Sequence, residues 1–398
     1  MEFRKLTNSD MEDSIKLSQF AFQYTLNDEE RLHRLNVMRP EDSIGVYSDG
    51  ELLAKLTTLP FLVQINDVDF KMGGVSGVAT YPEYRRNGLV KKLLQLELKE
   101  MKDKEQSLSY LYPFSVPFYR KYGWELIVDY QKLTLTREQL PRFQHVNGSI
   151  KKITEDSIGT LNDIYTKYAR NYNGMLKRDE NWWRDWVLYR KKGRMVVYYT
   201  ENSEPKGYII YEAKERKMTV KEFIALDDES RKGIWNFISN HDSMADEYVI
   251  EQFPLNEPYP YWLPDPKIKK EVIPYFMARI VDVEQFLNLY PFQNEEDFTL
   301  FLHISDDFAI WNAATFQLTA MKPDKVMVRK YPTKNKGTCQ YEPKRGISCD
   351  IKDLTTMLLN YQSPTQLLKI QRIKGSREEI ELLERIIVKK PTAFIDFF

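Results

Sequence analysis

The spacing of hydrophobic and polar positions predicts a mixed α/β fold for the first part of the chain. Apolar residues recur at helical spacing over residues 10–24. Apolar runs flank Asp49-Gly50, and an Asp-Gly pair between two such runs is typical of a β-hairpin. A second pair of apolar runs flanks Asn66-Asp67. We therefore expect one helix followed by two antiparallel hairpins.

The next elements follow a strand-turn-helix order. A strand that ends at Thr80 enters a glycine-bearing turn, and a helix with one apolar face begins at Leu89. The pattern then predicts a strand over residues 108–114, a short helix over residues 117–122 that stops at Gly123, and one long strand over residues 124–136. These elements add a crossover to the antiparallel hairpins.

Turn residues and a recurring element order predict three domains. Leu140-Pro-Arg and Asn147-Gly mark the first boundary, and the element order of residues 1–145 partly recurs in residues 146–276. The second copy has no glycine-bearing, arginine-rich turn before a helix. We therefore interpret it as a similar fold that lacks the catalytic chemistry of the first copy. Residues 277–398 form a third predicted domain, of α+β type.

Composition excludes several classes of protein. The chain has 398 residues, of which 42% are hydrophobic and 29% charged, and 58 Lys and Arg balance 58 Asp and Glu, so no overall charge favours nucleic acid. Two cysteines, Cys339 and Cys349, and four scattered histidines lack metal-ligand spacing, so we expect no structural metal. The N-terminus is polar, and no window approaches the roughly 20 apolar residues of a membrane span. We predict a cytoplasmic protein that binds no membrane.

The turn between the strand and the helix, within residues 78–90, has the features of an anion-binding site. Arg85, Arg86 and Gly88 lie directly before the helix, where backbone N–H groups and the positive end of the helix dipole point at one spot. Glycine lets a ligand approach the backbone, and arginines donate charge-assisted hydrogen bonds to phosphate. A solvated basic helix start is the simpler interpretation of this turn alone.

Two motifs at a defined spacing resemble a known superfamily. Arg85-x-x-Gly88 is followed by Phe118-Tyr119-Arg-Lys-Tyr-Gly123, and the pair resembles the pyrophosphate loop and late aromatic element of the GNAT N-acetyltransferases. Val90 stands where the superfamily has glycine or alanine. The third domain resembles the sterol-carrier-like domain of the Eis (enhanced intracellular survival) acetyltransferases in three stretches, which are Met277 to Phe292, Ser348 to Tyr361 and Ala393 to Phe398.

The resemblance implies a fold, a cosubstrate and site residues. The implied fold is a catalytic GNAT domain over residues 1–145, a degenerate GNAT domain over 146–276 and a sterol-carrier-like domain over 277–398. Acetyl-CoA is the implied cosubstrate, an amine the implied acceptor, Tyr119 the implied general acid, and the C-terminal carboxylate of Phe398 the implied base. The implied cofactor-binding residues are Val78, Ala79, Thr80, Arg85, Arg86, Asn87, Gly88, Leu89, Val90 and Ser115.

Several alternatives remain open. The acceptor is an amine of a polycationic small molecule such as an aminoglycoside, a lysine amine, or an amine of a protein partner. A different class is a lipid-binding or regulatory protein with an inactive transferase domain. Tyr119 could be a packing residue, and Ser115 could merely cap a helix. The cluster of Trp182, Trp183 and Trp186 is interpreted as core.

Two further expectations concern the acceptor and the assembly. A cationic acceptor needs carboxylates near the motif segments. The candidates are Asp28, Glu29, Glu30, Glu125 and Asp396. The resemblance also implies a homo-oligomer, namely a hexamer.

Overall fold

The protein is described by a computed structural model that covers residues 1–293, 295–321, 325–332 and 345–398. Cys339 lies outside the described residues. The chain forms two compact units. The first contains Met1–Ile127, Phe276–Lys389 and Phe398, and the second contains Val128–Tyr275 and Lys390–Phe397. Strands and helices are numbered along the chain.

The first unit contains a seven-stranded sheet with the order β1-β2-β3-β4-β5-β14-β6. The strands are β1 (Glu2–Lys5), β2 (Ser43–Ser48), β3 (Glu51–Ile65), β4 (Val68–Thr80), β5 (Leu108–Leu111), β6 (Glu125–Leu126) and β14 (Met277–Ile280). Both predicted hairpins are present, since β2 pairs antiparallel with β3 and β3 with β4. The crossover is also present, because β4 pairs with β5 in parallel.

Four helices accompany the strands that precede residue 127. They are α1 (Met11–Phe22), α2 (Asp28–Val37), α3 (Leu89–Asp103) and α4 (Val116–Arg120). Helix α3 buries Leu89, Leu93 and Leu98 against the sheet, as its apolar spacing predicts. The predicted short helix near residue 120 is α4.

The prediction of one long strand over residues 124–136 is wrong. The segment divides into β6 in the first sheet and β7 (Asp129–Thr136) in a sheet of the second unit. Strand β14, which is distant in sequence, pairs with both β5 and β6. A continuous alternating pattern marks extended backbone but does not specify its partner strands. Sequence periodicity therefore could not reveal this division.

The rest of the first unit is a smaller α+β arrangement with the sheet order β17-β16-β15-β18. Its strands are β15 (Phe298–Ser305), β16 (Ala314–Ala320), β17 (Met327–Pro332) and β18 (Ile347–Asp350). Its helices are α8 (Val283–Leu289), α9 (Ile351–Leu358), α10 (Pro364–Lys369) and α11 (Arg377–Ile386). Buried Arg279 of β14 pairs with Asp306, which follows β15, so the small sheet is tied to the large one.

The second unit contains another seven-stranded sheet, with the order β13-β7-β12-β11-β10-β9-β8. Its strands besides β7 are β8 (Ser149–Ile153), β9 (Arg194–Tyr199), β10 (Pro205–Lys214), β11 (Lys217–Ala225), β12 (Glu247–Pro254) and β13 (Lys269–Pro274). Its helices are α5 (Ile158–Ala169), α6 (Glu180–Trp182), which continues as a π-helix to Leu188, and α7 (Asp228–Ser239). Strands β11 and β12 pair in parallel across α7, as β4 and β5 do across α3.

Candidate active site

Strand β4 has an open backbone edge near its end. It pairs with β5 only over Met72–Val75, whereas it pairs with β3 as far as Thr80. A bulge interrupts the pairing with β3, and Gly77 there has a φ of +57°. Beyond Val75, therefore, no described strand pairs with the edge that faces away from β3. The backbone groups of Val78 and Ala79 on that edge are available to an extended ligand, whereas the carbonyl of Thr80 accepts a hydrogen bond from Arg85.

The turn that follows β4 presents uncapped N–H groups. Residues 85–88 are exposed, and the left-handed Gly88 (φ +75°) is the N-cap of α3 with no side chain to satisfy the first turn. An ideal Cβ at Gly88 would meet no atom within 4 Å, so the space in front of the helix is open. Arg85 donates Nε–H to the carbonyl of Thr80 at 3.3 Å, which holds the guanidinium at the strand end. This arrangement suits a phosphate.

The motif that contains Tyr119 folds into the short helix α4 and the turn that follows it. Its backbone carbonyl accepts hydrogen bonds from the N–H groups of Tyr122 and Trp124, at 2.9 and 3.3 Å. This return of the chain depends on Gly123, whose φ is +90° and whose ideal Cβ would lie 2.6 Å from Nη1 of Arg279. The glycine of the motif thus permits both the turn and the close approach of a buried arginine.

The Tyr119 side chain is 3% exposed and packs among aromatic rings. The rings of Phe114 and Phe118 have centroids 5.4 and 5.2 Å away in edge-on orientations. Burial raises the pKa of Tyr119, so the hydroxyl is protonated at neutral pH. The side chain is therefore packed and is also a proton donor.

Ser115 begins α4, but its side chain does not cap the helix. Its backbone carbonyl accepts the N–H groups of Phe118 and Tyr119, while its hydroxyl makes no cap hydrogen bond. The structure therefore does not support the capping alternative for its hydroxyl.

The last residue of the chain packs against β4. Phe398 is 5% exposed, and its ring centroid lies 4.9 Å from that of Phe61 and 5.1 Å from that of Phe276. An ideal Cβ at Gly74 would lie 2.8 Å from Cε2 of Phe398, so the ring occupies the space that any side chain at Gly74 would take. Gly74 lies opposite Tyr110, one residue before β4 and β5 separate. Phe398 therefore docks beside the open end of β4.

Four of the predicted site residues, Tyr119, Leu89, Val78 and Val90, lie in or against one buried cluster of the first unit. Val75 and Tyr119 belong to one buried cluster, and Leu89 of α3 belongs to it too. Val78 and Val90 are partly buried against the same cluster.

The predicted acidic residues have different surroundings. Asp396 is 2% exposed, and in the second unit its carboxylate accepts Nε–H of Arg178 at 3.0 Å and the indole N–H of Trp182 at 2.9 Å. Glu125 accepts three hydrogen bonds from Arg120, at 2.7 to 2.9 Å. Both charges are neutralised within the protein, so the structure does not support either as an acid that binds a cation. Asp28 and Glu29 are exposed on the first turn of α2.

The prediction that the tryptophan cluster is core holds for Trp182 and Trp183, which are buried, whereas Trp186 is only partly buried. Their neighbour Arg178 is fully buried between Glu222 and Asp396 and stacks 4.5 Å from the Trp183 ring centroid. This balanced ionic cluster holds residues 395 and 396, because Lys191 also donates to the carbonyl of Ile395 at 2.9 Å.

The second unit lacks the open helix start of the first. The strand β11 leads to α7, whose N-cap is Asp227. The Asp227 carboxylate accepts the N–H of Ser230 at 2.8 Å and places a negative charge where a phosphate would bind. This difference gives a physical reason for the interpretation of the second copy as degenerate.

Sequence analysis missed Lys55, a buried lysine of β3. It is 1% exposed, its Nζ donates to Oγ of Ser14 at 2.7 Å, and no carboxylate pairs with it among the described residues. Burial, followed by the charge of Arg34, lowers the pKa of Lys55 to about 7. The available signal was a single lysine inside the apolar run Leu52 to Leu56.

Lys55 should make stability depend on pH in a predictable direction. The unfolded chain keeps the proton up to an ordinary pKa of 10.5, whereas the folded protein releases it at about 7, so the penalty for a buried charge is largest below pH 7 and fades as the pH rises toward 10.5. Lys55→Met removes this penalty, on the order of a few kcal/mol. Denaturant unfolding of both proteins across this range should show a difference that shrinks with rising pH, and a constant difference would contradict the assignment.

The open helix start predicts the effect of a charge at residue 88. Gly88→Asp should weaken CoA binding by about tenfold or more, because a carboxylate would repel phosphate. Gly88→Ala is the matched control, because it also places a Cβ on a residue with a φ of +75° but adds no charge. Calorimetric titration with CoA measures both variants. Equal affinity of Gly88→Asp and the unmodified protein would place the phosphates elsewhere.

Two properties of the described residues bear on partners. No helix there is long and apolar enough to cross a membrane. No group of three or more His, Cys, Asp or Glu side chains within those ranges could hold a metal ion. The expectation that the protein has no structural metal remains a prediction.

Comparisons with known proteins agree with this architecture. Residues 2–127 and 174–280 each match an acetyltransferase (GNAT) domain family, and residues 283–395 match a sterol carrier protein domain family. An uncharacterized N-acetyltransferase from Streptomyces avermitilis is 20% identical to the chain, with 95% of this chain and 93% of that protein covered.

Solved structures share the fold over the whole chain. A conserved protein from Enterococcus faecalis, described as a probable N-acyltransferase, has a TM-score of 0.91 at 26% identity and covers 100% of this chain and 99% of its own. Eis1 from Mycobacterium abscessus has a TM-score of 0.80 at 17% identity, with both chains fully covered. The predicted fold class, tandem GNAT folds with a sterol-carrier-like domain, is confirmed. The chain is a member of the GNAT superfamily of N-acetyltransferases, with two acetyltransferase domains and a sterol carrier protein domain.

Proposed function

We propose that the first GNAT domain transfers the acetyl group of acetyl-CoA to amines of polycationic small molecules, such as aminoglycosides, or to lysine amines. The observation that carries this proposal is the convergence at the end of β4. The open backbone edge lies beside the docked C-terminal residue Phe398, and Tyr119 belongs to the same buried cluster as Val75. A donor site, an acid and a carboxylate are the groups that amine acetylation requires.

Acetyl-CoA is the cosubstrate that GNAT domains imply. In this proposal its pantetheine lies along Val78, Ala79 and Thr80, where backbone groups on the unpaired edge of β4 can pair with its amides. Its pyrophosphate lies on residues 85–90, at the uncapped start of α3. The hydroxyl of Ser115 is available to the thiol arm. The cosubstrate supplies the activated acetyl group, and the protein supplies its placement.

Tyr119 is proposed as the general acid. When the amine displaces CoA, the sulfur leaves with a negative charge, which is costly in a site that excludes water. The buried hydroxyl holds its proton at neutral pH and can donate it to the thiolate. Burial in the same site also raises the pKa of the CoA thiol, so its thiolate becomes a stronger base and a better acceptor for the tyrosine proton.

The α-carboxylate of Phe398 is proposed as the general base. An amine attacks the thioester only when neutral, so an ammonium substrate must first lose a proton. A free α-carboxyl has a pKa of about 3.5 and gains basicity when desolvated. The contacts of the Phe398 ring with Phe61 and Gly74 would hold the carboxylate in a fixed position.

A panel of acceptors tests the proposed reaction. Thiol release from acetyl-CoA would be followed with aminoglycosides, with lysine peptides and with a folded protein. Saturable release with the first two supports the proposal, and release with the folded protein alone favours a protein partner. If no amine stimulates release and lipid copurifies with the chain, the matched sterol carrier protein domain favours the lipid-binding alternative.

The oligomeric state and the cellular location of the protein are also proposals. The Eis resemblance supports a homohexamer. The balance of 58 Lys and Arg against 58 Asp and Glu supports a protein that does not bind nucleic acid, and we propose a cytoplasmic location without membrane binding. Light scattering of the purified protein tests the hexamer, and cell fractionation tests the location.

A further inference from the structure

Lys55 is buried without a carboxylate partner among the described residues, whereas a partly buried lysine of the same unit has two such partners. In the same unit, Lys5 is paired with Glu97 at 2.9 Å and with Glu100 at 2.8 Å. The Nζ of Lys55 has one hydrogen bond, to Ser14, although an ammonium has three N–H donors. An unpaired ammonium is strongly disfavoured in the interior, so the neutral amine is a major form at neutral pH. A neutral amine is a nucleophile.

The charged and polar surroundings of Lys55 support this protonation state. Arg34 is the charged group that acts on it, and its charge opposes protonation. Ser14 of α1 accepts from it, and Thr57 of the same strand bonds to Ser43 at 2.7 Å. None of these neighbours is a carboxylate that would stabilise the ammonium.

The position of Lys55 connects it to the proposed acetyl site. The bulge residue Gly77 immediately precedes Val78, where the proposed acetyl-CoA segment begins. An ideal Cβ at Gly77 would lie 3.6 Å from Oγ1 of Thr57 and 3.9 Å from Nζ of Lys55, and apart from its chain neighbours it would meet no other heavy atom within 4 Å. A space that accepts a methyl-sized group therefore lies between the β4 backbone and the amine.

We propose that Lys55 is an internal acetyl acceptor, so that the protein acetylates itself at this residue. The neutral Nζ attacks the thioester carbonyl carbon of acetyl-CoA, the N–C bond forms and the C–S bond breaks. CoA leaves as a thiolate and takes up the proton that the nitrogen loses. The product is an amide, which is neutral at every pH. The free-energy cost of burying a charged Lys55 is therefore removed. This inference rests on acetyl-CoA being the donor in the proposed function.

The test is site-resolved mass spectrometry of the full chain after incubation with isotopically labelled acetyl-CoA and no added amine. We expect one labelled acetyl group on Lys55, acquired faster than on Lys16, an exposed lysine of α1 that reports uncatalysed acetylation. The initial rate should rise with pH through about 7, as the amine loses its proton. Gly88→Asp should slow labelling of Lys55 and leave Lys16 unchanged.

Substitutions of Lys55 and a parallel assay with an added amine distinguish failure of this inference from failure of the proposed function. Lys55→Arg, which retains a cation but no nucleophile, should lose the label, and Lys55→Met is the second variant if arginine impairs folding. If the unmodified protein acetylates an added amine but Lys55 stays unlabelled, or is labelled no faster than Lys16, the inference is wrong and the proposed function stands. If neither the added amine nor Lys55 is acetylated, the proposed function itself fails.

Discussion

Tyr119→Phe is expected to lower kcat by about 10²- to 10⁴-fold, which is the usual contribution of a general acid. The substitution keeps the ring and its contacts with Phe114 and Phe118 but removes the only proton that this side chain can donate. Folding and CoA binding should persist. The measurement is steady-state thiol release with a saturating amine, with calorimetry for CoA.

Tyr122→Phe is the matched control for this substitution. Tyr122 lies on the same segment and its ring contacts Phe118 with a centroid distance of 5.2 Å. It has no proposed role in proton transfer, so its variant should retain most of the activity. Near-normal turnover of Tyr119→Phe would reduce Tyr119 to a packing residue.

A short Gly-Ser extension after Phe398 is expected to abolish most of the turnover. The extension leaves every native side chain in place but replaces the α-carboxylate by a neutral amide, which cannot accept the proton of the substrate. Displacement of a catalytic group by even 1 Å can cost on the order of 10²-fold. The comparison is kcat for the native and extended proteins, with CoA affinity and thermal stability measured in parallel.

Two variants separate the carboxylate from the ring in this prediction. Phe398→Leu keeps the carboxylate and an apolar side chain over Gly74, so it should retain more activity than the extended protein. Deletion of Phe398 removes the ring and shortens the chain, so the new terminal carboxylate could not reach the same position. This variant should be as impaired as the extended protein. An extended protein with full activity would exclude the C-terminal carboxylate as the base and direct attention to water or to side chains near Tyr119.

Local signals in the sequence predicted much of the fold. The Asp49-Gly50 pair, the apolar face of α3 and the stop at Gly123 each depend on neighbouring residues, and each is present in the structure. The glycine-bearing turn before α3 could be predicted for the same reason, because the strand, the turn and the helix are contiguous. Gly88 has the left-handed backbone that makes glycine favourable there.

Features that depend on distant residues were not accessible from the sequence. Strand β14 inserts between β5 and β6, although more than 150 residues separate it from either strand. Gly74 is significant only because Phe398 docks on it. The charge of Asp396 is neutralised by Arg178, a residue 218 positions earlier in the chain. Lys55 differs from other lysines only in what lies around it.

A crystal structure of the protein with acetyl-CoA would show whether acetyl transfer takes place at the end of β4. We expect one cosubstrate in the first GNAT domain, with its amides paired to Val78–Thr80, its pyrophosphate at Gly88 and its sulfur within hydrogen-bonding distance of the Tyr119 hydroxyl. The carboxylate of Phe398 should face the acetyl group from the acceptor side. A cosubstrate bound to the second GNAT domain, or one whose thioester lies away from Tyr119 and Phe398, would overturn the proposed mechanism.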